Sequence, residues 1–231
     1  MLPLKDELPT QTTPFVTVGI IALNVVAFLY QVSLEVGGSR EAQQAAQAFV
    51  LEFGLIPCRL TGQCLAGVDL PAPVLTIFTS MFLHGGLFHI GGNMLYLWIF
   101  GNNVEDSLGH GRFLLFYLAS GVAAALGQTL VAPSSTVPMI GASGAVSGVL
   151  GAYLLLFPQA HVLTLMIIGF FIRMVRVPAV VVLGFWIVIQ VINGLGTLGK
   201  SGGVAWFAHI GGFFAGMGLL LLLRPRPWVR F

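Results

Sequence analysis

Five polar side chains stand in otherwise apolar stretches of this sequence and carry groups capable of acid–base or nucleophilic chemistry. They are His84, His89, Asn93, Ser143 and His209. A serine hydroxyl becomes a nucleophile when a neighbouring imidazole takes its proton, and the same imidazole can later give that proton to a leaving amine. We therefore interpret Ser143 as a nucleophile and His209 as its general base.

His89 and Asn93 are predicted to assist this pair. They are four positions apart, so on a helix their side chains lie on one face. Both can donate a hydrogen bond to the oxyanion of a tetrahedral intermediate, together with the backbone N–H of Ser143. One such donor contributes about 2.7–4 kcal/mol of transition-state stabilisation. His84, five residues before His89, is predicted to support the site.

Small residues accompany both members of the predicted dyad. They are Gly141, Gly144, Gly212 and Gly216. In a membrane, small residues four positions apart allow two helix backbones to approach closely. We expect the helices that carry Ser143 and His209 to pack along these glycines until the hydroxyl and the imidazole share a hydrogen bond.

A third catalytic residue or a metal ion could also take part in the predicted site. The nearest carboxylates, Glu105 and Asp106, fall at the opposite end of their predicted helix, so the sequence predicts a Ser–His dyad and not a triad. Glu105 is expected to be a structural carboxylate bonded to loop amides. A metal site would use His84, His89 and His209, but no carboxylate or cysteine lies at the same depth.

Composition indicates a membrane protein. Of the 231 residues, 57% are hydrophobic and 8% are charged, whereas a soluble domain has roughly 25% charged residues. The mean hydropathy is +0.95. The net charge of +2 is too small and too scattered for a nucleic-acid interface. No second, soluble domain is visible, so residues 1–231 are predicted to form one membrane domain.

Long stretches without Asp, Glu, Lys or Arg predict six membrane spans, since each span needs ~20 apolar residues. The longest stretch, 113–172, has 60 residues and holds two spans. The predicted spans are 14–32, 89–104, 112–131, 140–157, 178–193 and 204–223. They place Ser143 about five and His209 about six residues inside their helices, roughly 6–10 Å below the outer membrane surface and level with His89 and Asn93.

The remaining segments are predicted from charge and length. Seven Lys and Arg residues lie on the side that holds both termini and three on the other, which places the termini in the cytoplasm. Residues 1–13 and 224–231 are then short cytoplasmic tails, and residues 40–52 form a surface helix within the loop 33–75. The apolar piece within 158–176 is too short to cross, so we expect an interfacial or re-entrant segment. Cys58 and Cys64 form either a local disulfide or two free thiols.

The motifs together resemble those of the rhomboid family of intramembrane serine proteases. The matching stretches are Gly141-Ala142-Ser143-Gly144, Ala208-His209-Ile210-Gly211-Gly212-xxx-Gly216, His84-xxxx-His89-xxx-Asn93, Gly101-xxx-Glu105-xxx-Gly109 and Phe53-Gly-Leu-Ile-Pro57. They cover about residues 50–223. The resemblance implies an all-α, polytopic bundle of six transmembrane helices with a water-filled cavity open to the outside.

The resemblance also implies a function. Ser143 is expected to be the nucleophile and His209 the base, with His89 and Asn93 at the oxyanion hole and no cofactor. The expected substrates are transmembrane segments of other membrane proteins, cut near the outer face of a bacterial or archaeal-type cell membrane. One departure is Ser147, because many bacterial members have a tyrosine there that stacks on the base. A hydroxyl or packing is expected to orient His209 instead.

Two other functions fit part of the pattern. A non-catalytic rhomboid-like protein would bind transmembrane clients, but a pure binder has no need for both Ser143 and His209. A transporter or channel with a histidine relay would need polar residues along a full pore, whereas the inner halves of the helices carrying this pair are mostly Leu, Ala and Gly. The sequence therefore favours an intramembrane serine endopeptidase.

Overall fold

A computed structural model describes residues 1–64, 72–169, 171–198 and 203–223. Within these ranges the chain is mainly helical, as predicted. The predicted cytoplasmic tail 224–231 lies outside the described residues, and so does Lys200, which entered the charge count for orientation.

The helices follow one another along the chain with short connections. They are α1 (Phe15–Leu34), α2 (Arg40–Phe53), α3 (Pro57–Leu60), α4 (Pro73–Thr79), α5 (Leu87–Tyr96), α6 (Asn102–Leu108), α7 (His110–Val131), α8 (Ser143–Leu156), α9 (Ala179–Gly196) and α10 (Trp206–Leu223). A π-helical turn, Leu97–Gly101, joins α5 to α6. The predicted surface helix in the first loop is confirmed as α2, which begins at the N-cap Ser39. Cys58 and Cys64 are joined by a disulfide.

Four helices in the described ranges, α1, α7, α9 and α10, are long and apolar enough to span a membrane. The segments Pro73–Phe82 and Leu87–Leu108 meet at an angle of 84° and pass the same test only as a pair, so they are either one broken span or a re-entrant loop. The predicted fourth span is the apolar helix α8, whose 14 residues extend about 21 Å, less than the ~30 Å of a bilayer core. The structure thus supports four to five spans, and the predicted count of six stays a prediction.

The centre of the bundle is the packing of α10 against α7 and α8. Glycines make this packing close, because a Cβ atom on Gly216 would lie 2.6 Å from the carbonyl carbon of Gly148. A Cβ on Gly212 would likewise lie 3.1 Å from the carbonyl carbon of Gly144. The two backbones therefore touch along the face that carries the predicted dyad, as small residues in membrane helices permit.

A three-stranded antiparallel sheet corrects the all-α prediction. The predicted N-terminal tail contains β1 (Leu2–Asp6), and the predicted interfacial segment is a hairpin of β2 (His161–Ile168) and β3 (Phe171–Pro178), in the order β1-β2-β3. The hairpin turns at Gly169, whose φ of 58° suits glycine. Its strands are rich in β-branched residues, and burial alternates along the first half of β2, which favours a sheet. Length alone could not distinguish this pattern from a re-entrant segment.

Glu105 fixes the start of α1. Its carboxylate is buried and accepts hydrogen bonds from the backbone N–H groups of Val16 and Thr17 at 2.9 and 2.7 Å, and from the Thr17 hydroxyl at 2.6 Å. His110 Nδ1 lies 2.6 Å from the same carboxylate. These amides belong to the first turn of a helix, not to a loop as predicted. A carboxylate there satisfies free N–H groups and complements the helix dipole.

Candidate functional site

Ser143 begins α8 and is not five residues inside its helix, as the sequence predicted. The chain reaches it through Gly141, whose φ of 122° is a conformation that favours glycine. The Gly141 N–H donates to the carbonyl of Ser80 at 2.9 Å, which holds this turn against the 3₁₀ turn Ser80–Phe82 that follows α4. As the first residue of a helix, Ser143 has a backbone N–H with no partner from its own helix.

His209 is the fourth residue of α10 and meets Ser143 directly. Its Nε2 lies 2.8 Å from Ser143 Oγ. The close contact of α8 and α10 at Gly144 and Gly212 brings the two side chains together. This distance is within the range of a hydrogen bond between a nucleophile and its base.

Gln190 of α9 completes the surroundings of His209. Its Oε1 lies 2.8 Å from His209 Nδ1, and its Nε2 donates to the Trp186 carbonyl at 3.2 Å. The amide oxygen can only accept, so Nδ1 carries the proton and Nε2 is left to accept from Ser143. The indole rings of Trp186 and Trp206 pack at 5.9 and 6.2 Å from the imidazole centroid.

Ser147 does not orient the imidazole. Its hydroxyl donates to the carbonyl of Ser143 at 2.6 Å, within α8. The expected alternatives were a hydroxyl or packing, and the structure has a side-chain amide together with two indole rings. Gln190 was not among the predicted site residues. Its sequence signal is weak, because α9 carries two amide side chains, Gln190 and Asn193, and neither position indicates a partner.

His89 and Asn93 lie on one face of α5 beside the start of α8. His89 Nδ1 accepts from the Gly85 N–H at 3.2 Å, so a neutral ring carries its proton on Nε2. That edge of the ring adjoins Gly141, where a Cβ would lie 2.7 Å from Nε2 and 3.7 Å from Asn93 Nδ2. Asn93 Nδ2 is buried and has no hydrogen-bond partner among the residues that the structure describes. Two donors therefore point toward the turn before Ser143.

His84 packs behind His89 and does not contact the dyad. The two imidazole centroids are 5.0 Å apart with the rings edge to face. Within the described ranges, both ring nitrogens of His84 are buried without a partner, while its backbone N–H donates to Gln31 Oε1 at 2.9 Å. His84 therefore supports His89 from the side of α1, as a second layer of the site.

The dyad and its neighbours, apart from His84, line one cavity of about 580 Å³. Its walls include Ser143, His209, His89, Asn93, Gln190 and Trp186. Glu105 lies elsewhere, since it is twelve residues beyond Asn93 along a continuous helical path of about 18 Å. Among the residues that the structure describes, no three His, Cys, Asp or Glu side chains are grouped as a metal site would need. The arrangement offers a hydroxyl, an oriented imidazole and hydrogen-bond donors for an oxyanion. These are the groups that acyl transfer requires.

Comparison with known proteins agrees with these motifs. A family model described as the Rhomboid domain matches residues 71–226. Rhomboid protease GluP of Bacillus subtilis is 36% identical over 143 residues, covering 62% of this chain and 25% of that protein. RHOMBOID-like protein 4 of Arabidopsis thaliana is 36% identical over 182 residues, covering 75% of this chain and 42% of that protein.

A third relative, the mitochondrial Rhomboid protein 1 of Saccharomyces cerevisiae, is 32% identical over 150 residues, which cover 62% of this chain and 40% of that protein. The chain thus spans less than half the length of these three relatives. Apolar helices and these matches make it an integral, multi-pass membrane protein. With a matched domain that covers most of its length, the chain belongs to the rhomboid family, in which intramembrane proteolysis is found.

Proposed function

We propose that the protein is an intramembrane serine endopeptidase that cleaves transmembrane segments of other membrane proteins. The observation that carries this proposal is the distance of 2.8 Å between Ser143 Oγ and His209 Nε2. Family membership supports the class of reaction, and the geometry supports the assignment of the residues. Residues 1–231 act as one membrane domain in this proposal, with both termini on the cytoplasmic side.

In the first half of the reaction, Ser143 Oγ attacks the carbonyl carbon of the scissile peptide bond. The hydroxyl proton passes to His209 Nε2 as the C–O bond forms. The tetrahedral intermediate then expels the amine, which takes the proton from Nε2 and leaves an acyl ester on Ser143. Water attacks this ester in the second half, with His209 again taking and returning a proton, and the carboxylic acid product leaves.

The oxyanion of both tetrahedral intermediates would be held by three donors beside Ser143 Oγ. Asn93 Nδ2 is one, the Nε2–H of His89 is the second, and the backbone N–H of Ser143 is the third. Free N–H groups at the start of α8 and the positive end of its dipole favour negative charge at this point. Such donors act strongly because they are fixed before the charge develops.

Gln190 turns the predicted dyad into a triad with a neutral third member. A proton on His209 Nδ1 that is held by an amide oxygen keeps the ring in the tautomer that accepts from Ser143. The indole rings of Trp186 and Trp206 limit rotation of the imidazole. The amide supplies orientation without a buried negative charge, which would be costly to desolvate inside a membrane.

Substrate access imposes a condition on this chemistry. A peptide bond within a helix is hydrogen-bonded and shielded, so the substrate must unwind locally before Ser143 can reach its carbonyl carbon. The cavity of about 580 Å³ beside the dyad accommodates a short extended segment. Ser143 begins its helix, which supports cleavage near the membrane surface and not at its midplane. In the proposed orientation this is the outer surface.

Two variants test the proposal. Ser143→Ala and His209→Ala, each reconstituted in lipid vesicles with a reporter transmembrane substrate, should lose cleavage by a factor of at least about 10³. A serine-reactive fluorophosphonate should label the native protein and neither variant. Ser147→Ala is a matched control, because it removes a hydroxyl one turn away whose hydrogen bond is made within its own helix. It should retain both labelling and cleavage.

Cleavage that survives in Ser143→Ala would remove the enzyme assignment at this site. Binding of the reporter without cleavage by the native protein would favour the non-catalytic alternative, in which the same cavity holds a transmembrane client.

A further inference from the structure

An irregular connection, residues 132–142, leads from the end of α7 to Ser143 at the start of α8. Two of its residues, Pro133 and Pro138, have no backbone N–H to bond. Without the regular hydrogen bonds of a helix or a sheet, a segment of this kind takes its position from the groups that pair with it. The position of the nucleophile therefore depends on what holds this connection.

The first loop supplies partners for the connection from residues 54–61, which we call the supporting segment. Leu55 and Met139 exchange two backbone hydrogen bonds, with the Leu55 N–H donating at 3.1 Å and the Met139 N–H at 2.7 Å. Three residues further on, the Cys58 N–H donates to the carbonyl of Ser135 at 3.0 Å. The two segments thus run antiparallel and are joined at two points.

A side-chain hydrogen bond and close packing extend this contact at both ends. The Thr61 hydroxyl donates to the carbonyl of Pro133 at 2.8 Å. At the other end, a Cβ atom on Gly54 would lie 3.1 Å from Ile140 Cγ2 and 3.2 Å from Pro138 Cβ. The supporting segment therefore covers the connection along most of its length, from Pro133 to Ile140.

The Cys58–Cys64 disulfide closes a ring over the end of the supporting segment. Inside the ring, the Cys58 carbonyl accepts from the N–H groups of Gln63 and Cys64 at 2.8 and 3.1 Å. Cys58 and Thr61, which both donate to the connection, are members of this ring. A covalent cross-link restricts the conformations open to the residues that it encloses, so it keeps both donors in place.

Movement of the connection would reach the nucleophile directly. Met139 is four residues before Ser143, and Pro138, Met139 and Ile140 line the cavity of the proposed site. Among the residues that the structure describes, neither cysteine lines that cavity. A disulfide at this place can act on Ser143 through the connection, and not by touching a substrate in the cavity.

We propose that the Cys58–Cys64 disulfide positions Ser143 for acyl transfer, and that its reduction converts the protein reversibly into a slower form. The effect on rate rests on the proposed function, whereas the effect on the connection does not. In the reduction, one thiolate of a dithiol attacks the sulfur of Cys64, which is partly exposed, and Cys58 leaves as a thiolate. The second thiol of the reagent then displaces Cys64. Two protein thiols form, and the dithiol becomes a cyclic disulfide.

Steady-state kinetics of the full chain in vesicles tests the effect on rate. Dithiothreitol should lower kcat for the reporter substrate on the order of 10-fold, because small displacements of a reacting group are costly, and reoxidation should restore it. KM should change less than kcat, since the cysteines do not bond the substrate. Fluorophosphonate labelling of Ser143 should slow as well. The double variant Cys58→Ala/Cys64→Ala should match the reduced native protein and should not respond to the reagent.

Thr61→Val tests whether the disulfide acts through the connection. This change removes the hydrogen bond to the Pro133 carbonyl and leaves the disulfide in place. Reduction should slow this variant by a smaller factor than it slows the native protein, since both changes weaken the same contact. Ser33→Ala is the matched control, because the Ser33 hydroxyl bonds the carbonyl of Tyr30 within α1. It should respond to reduction as the native protein does.

Hydrogen exchange gives a result that does not require proteolysis. Reduction should speed exchange at the Met139 amide, which bonds the Leu55 carbonyl, while the amides of α8 remain protected. Equal exchange of the connection in both redox states would overturn the proposal. Faster exchange throughout α7, α8 and α10 would overturn it too, because the disulfide would then support the whole fold.

The two measurements separate the failure of this proposal from the failure of the proposed function. Faster exchange of the connection with unchanged kcat and labelling would overturn the link between the disulfide and Ser143. A native protein that is neither labelled nor active would remove the proposed function, and the exchange result would then decide whether the disulfide holds the connection.

Discussion

Gln190 Oε1 lies 2.8 Å from His209 Nδ1, and this contact joins α9 to the helix that carries the proposed base. The amide is 5% exposed, and its other end is fixed by the carbonyl of Trp186. Three helices therefore share one chain of hydrogen bonds, from Trp186 through Gln190 and His209 to Ser143. Any displacement of α9 would alter the orientation of the imidazole as well as the shape of the cavity.

Replacing Gln190 by leucine should lower kcat by about 10- to 100-fold, because the imidazole loses one hydrogen bond worth about 1–3 kcal/mol and its nitrogen is left buried without a partner. KM should change little, since the amide bonds the base and not the substrate. The measurement is steady-state cleavage of a reporter substrate in vesicles. An unchanged kcat would mean that packing by Trp186 and Trp206 suffices to orient the ring.

Gln190→Glu separates orientation from simple packing. A carboxylate opposite His209 Nδ1 stabilises the imidazolium, so the acid limb of the pH–rate profile should move to higher pH. A residue with only a structural role would lower the rate without moving the profile. Gln190→Asn, with the same group on a shorter side chain, should behave like the leucine variant.

The positions of Ser143 and His209 follow from sequence because two strong patterns coincide. Glycines four apart specify where α8 and α10 touch, and the hydroxyl and the imidazole stand beside those glycines. Gln190 has no such pattern, since single amides in membrane helices commonly bond their own backbone or a neighbour. Its partner is decided by the tertiary position of α9, which sequence alone does not give.

The sheet and the start of α8 show a second limit of prediction from sequence. A span predicted from hydropathy has no sharp beginning, so Ser143 was expected inside the helix, whereas Gly141 with positive φ delays the first turn. The strand β1 pairs with β2 across more than 150 residues, and no local signal in a short N-terminal segment specifies that partner. Local patterns thus predicted the helices, while the long-range pairings needed the structure.

Asn93→Ala should reduce kcat by about 10²–10³-fold, since it removes one donor to the oxyanion. The effect should be large because Nδ2 has no hydrogen-bond partner in the described part of the free protein. A donor that already had a partner would have to give up that bond to stabilise the transition state. The readout is single-turnover cleavage together with fluorophosphonate labelling, and both should slow. Gln31→Leu, which disturbs only the backbone contact of His84, serves as the comparison and should have a smaller effect on rate.

Gly216 and Gly218 form a matched pair on α10. Gly216→Ala should destabilise the protein by about 1–3 kcal/mol, because the added methyl group would overlap the backbone of Gly148 and push the helices apart. Gly218→Ala has open space around the new methyl group and replaces a poor helix former, so stability should be equal or higher. Thermal unfolding in detergent micelles measures both. Equal destabilisation by the two changes would contradict the close contact of α8 and α10.

Asp6 should make stability depend on pH. Burial raises the pKa of its carboxyl group above the ordinary value, although a hydrogen bond from Tyr153 partly opposes the shift. The folded protein therefore holds this proton more tightly than the unfolded chain does. The resulting stabilisation is complete below the unfolded pKa and is lost as pH rises through the folded pKa. Asp6→Asn keeps an oxygen that can accept from both Asn103 and Tyr153, and it removes the titratable group. The melting temperature of this variant minus that of the native protein should therefore increase between about pH 4 and pH 7.

Tyr153→Phe provides the opposite change for the same carboxyl group. It removes a donor that favours the ionised form, so the loss of stability with increasing pH should become steeper than in the native protein. Both variants are compared with the native chain by thermal unfolding across the same pH series. If the melting temperatures of Asp6→Asn and of the native protein changed with pH in parallel, titration of the carboxyl group would not be coupled to folding. In that case the carboxyl group would bond water in the native protein instead of Asn103 and Tyr153.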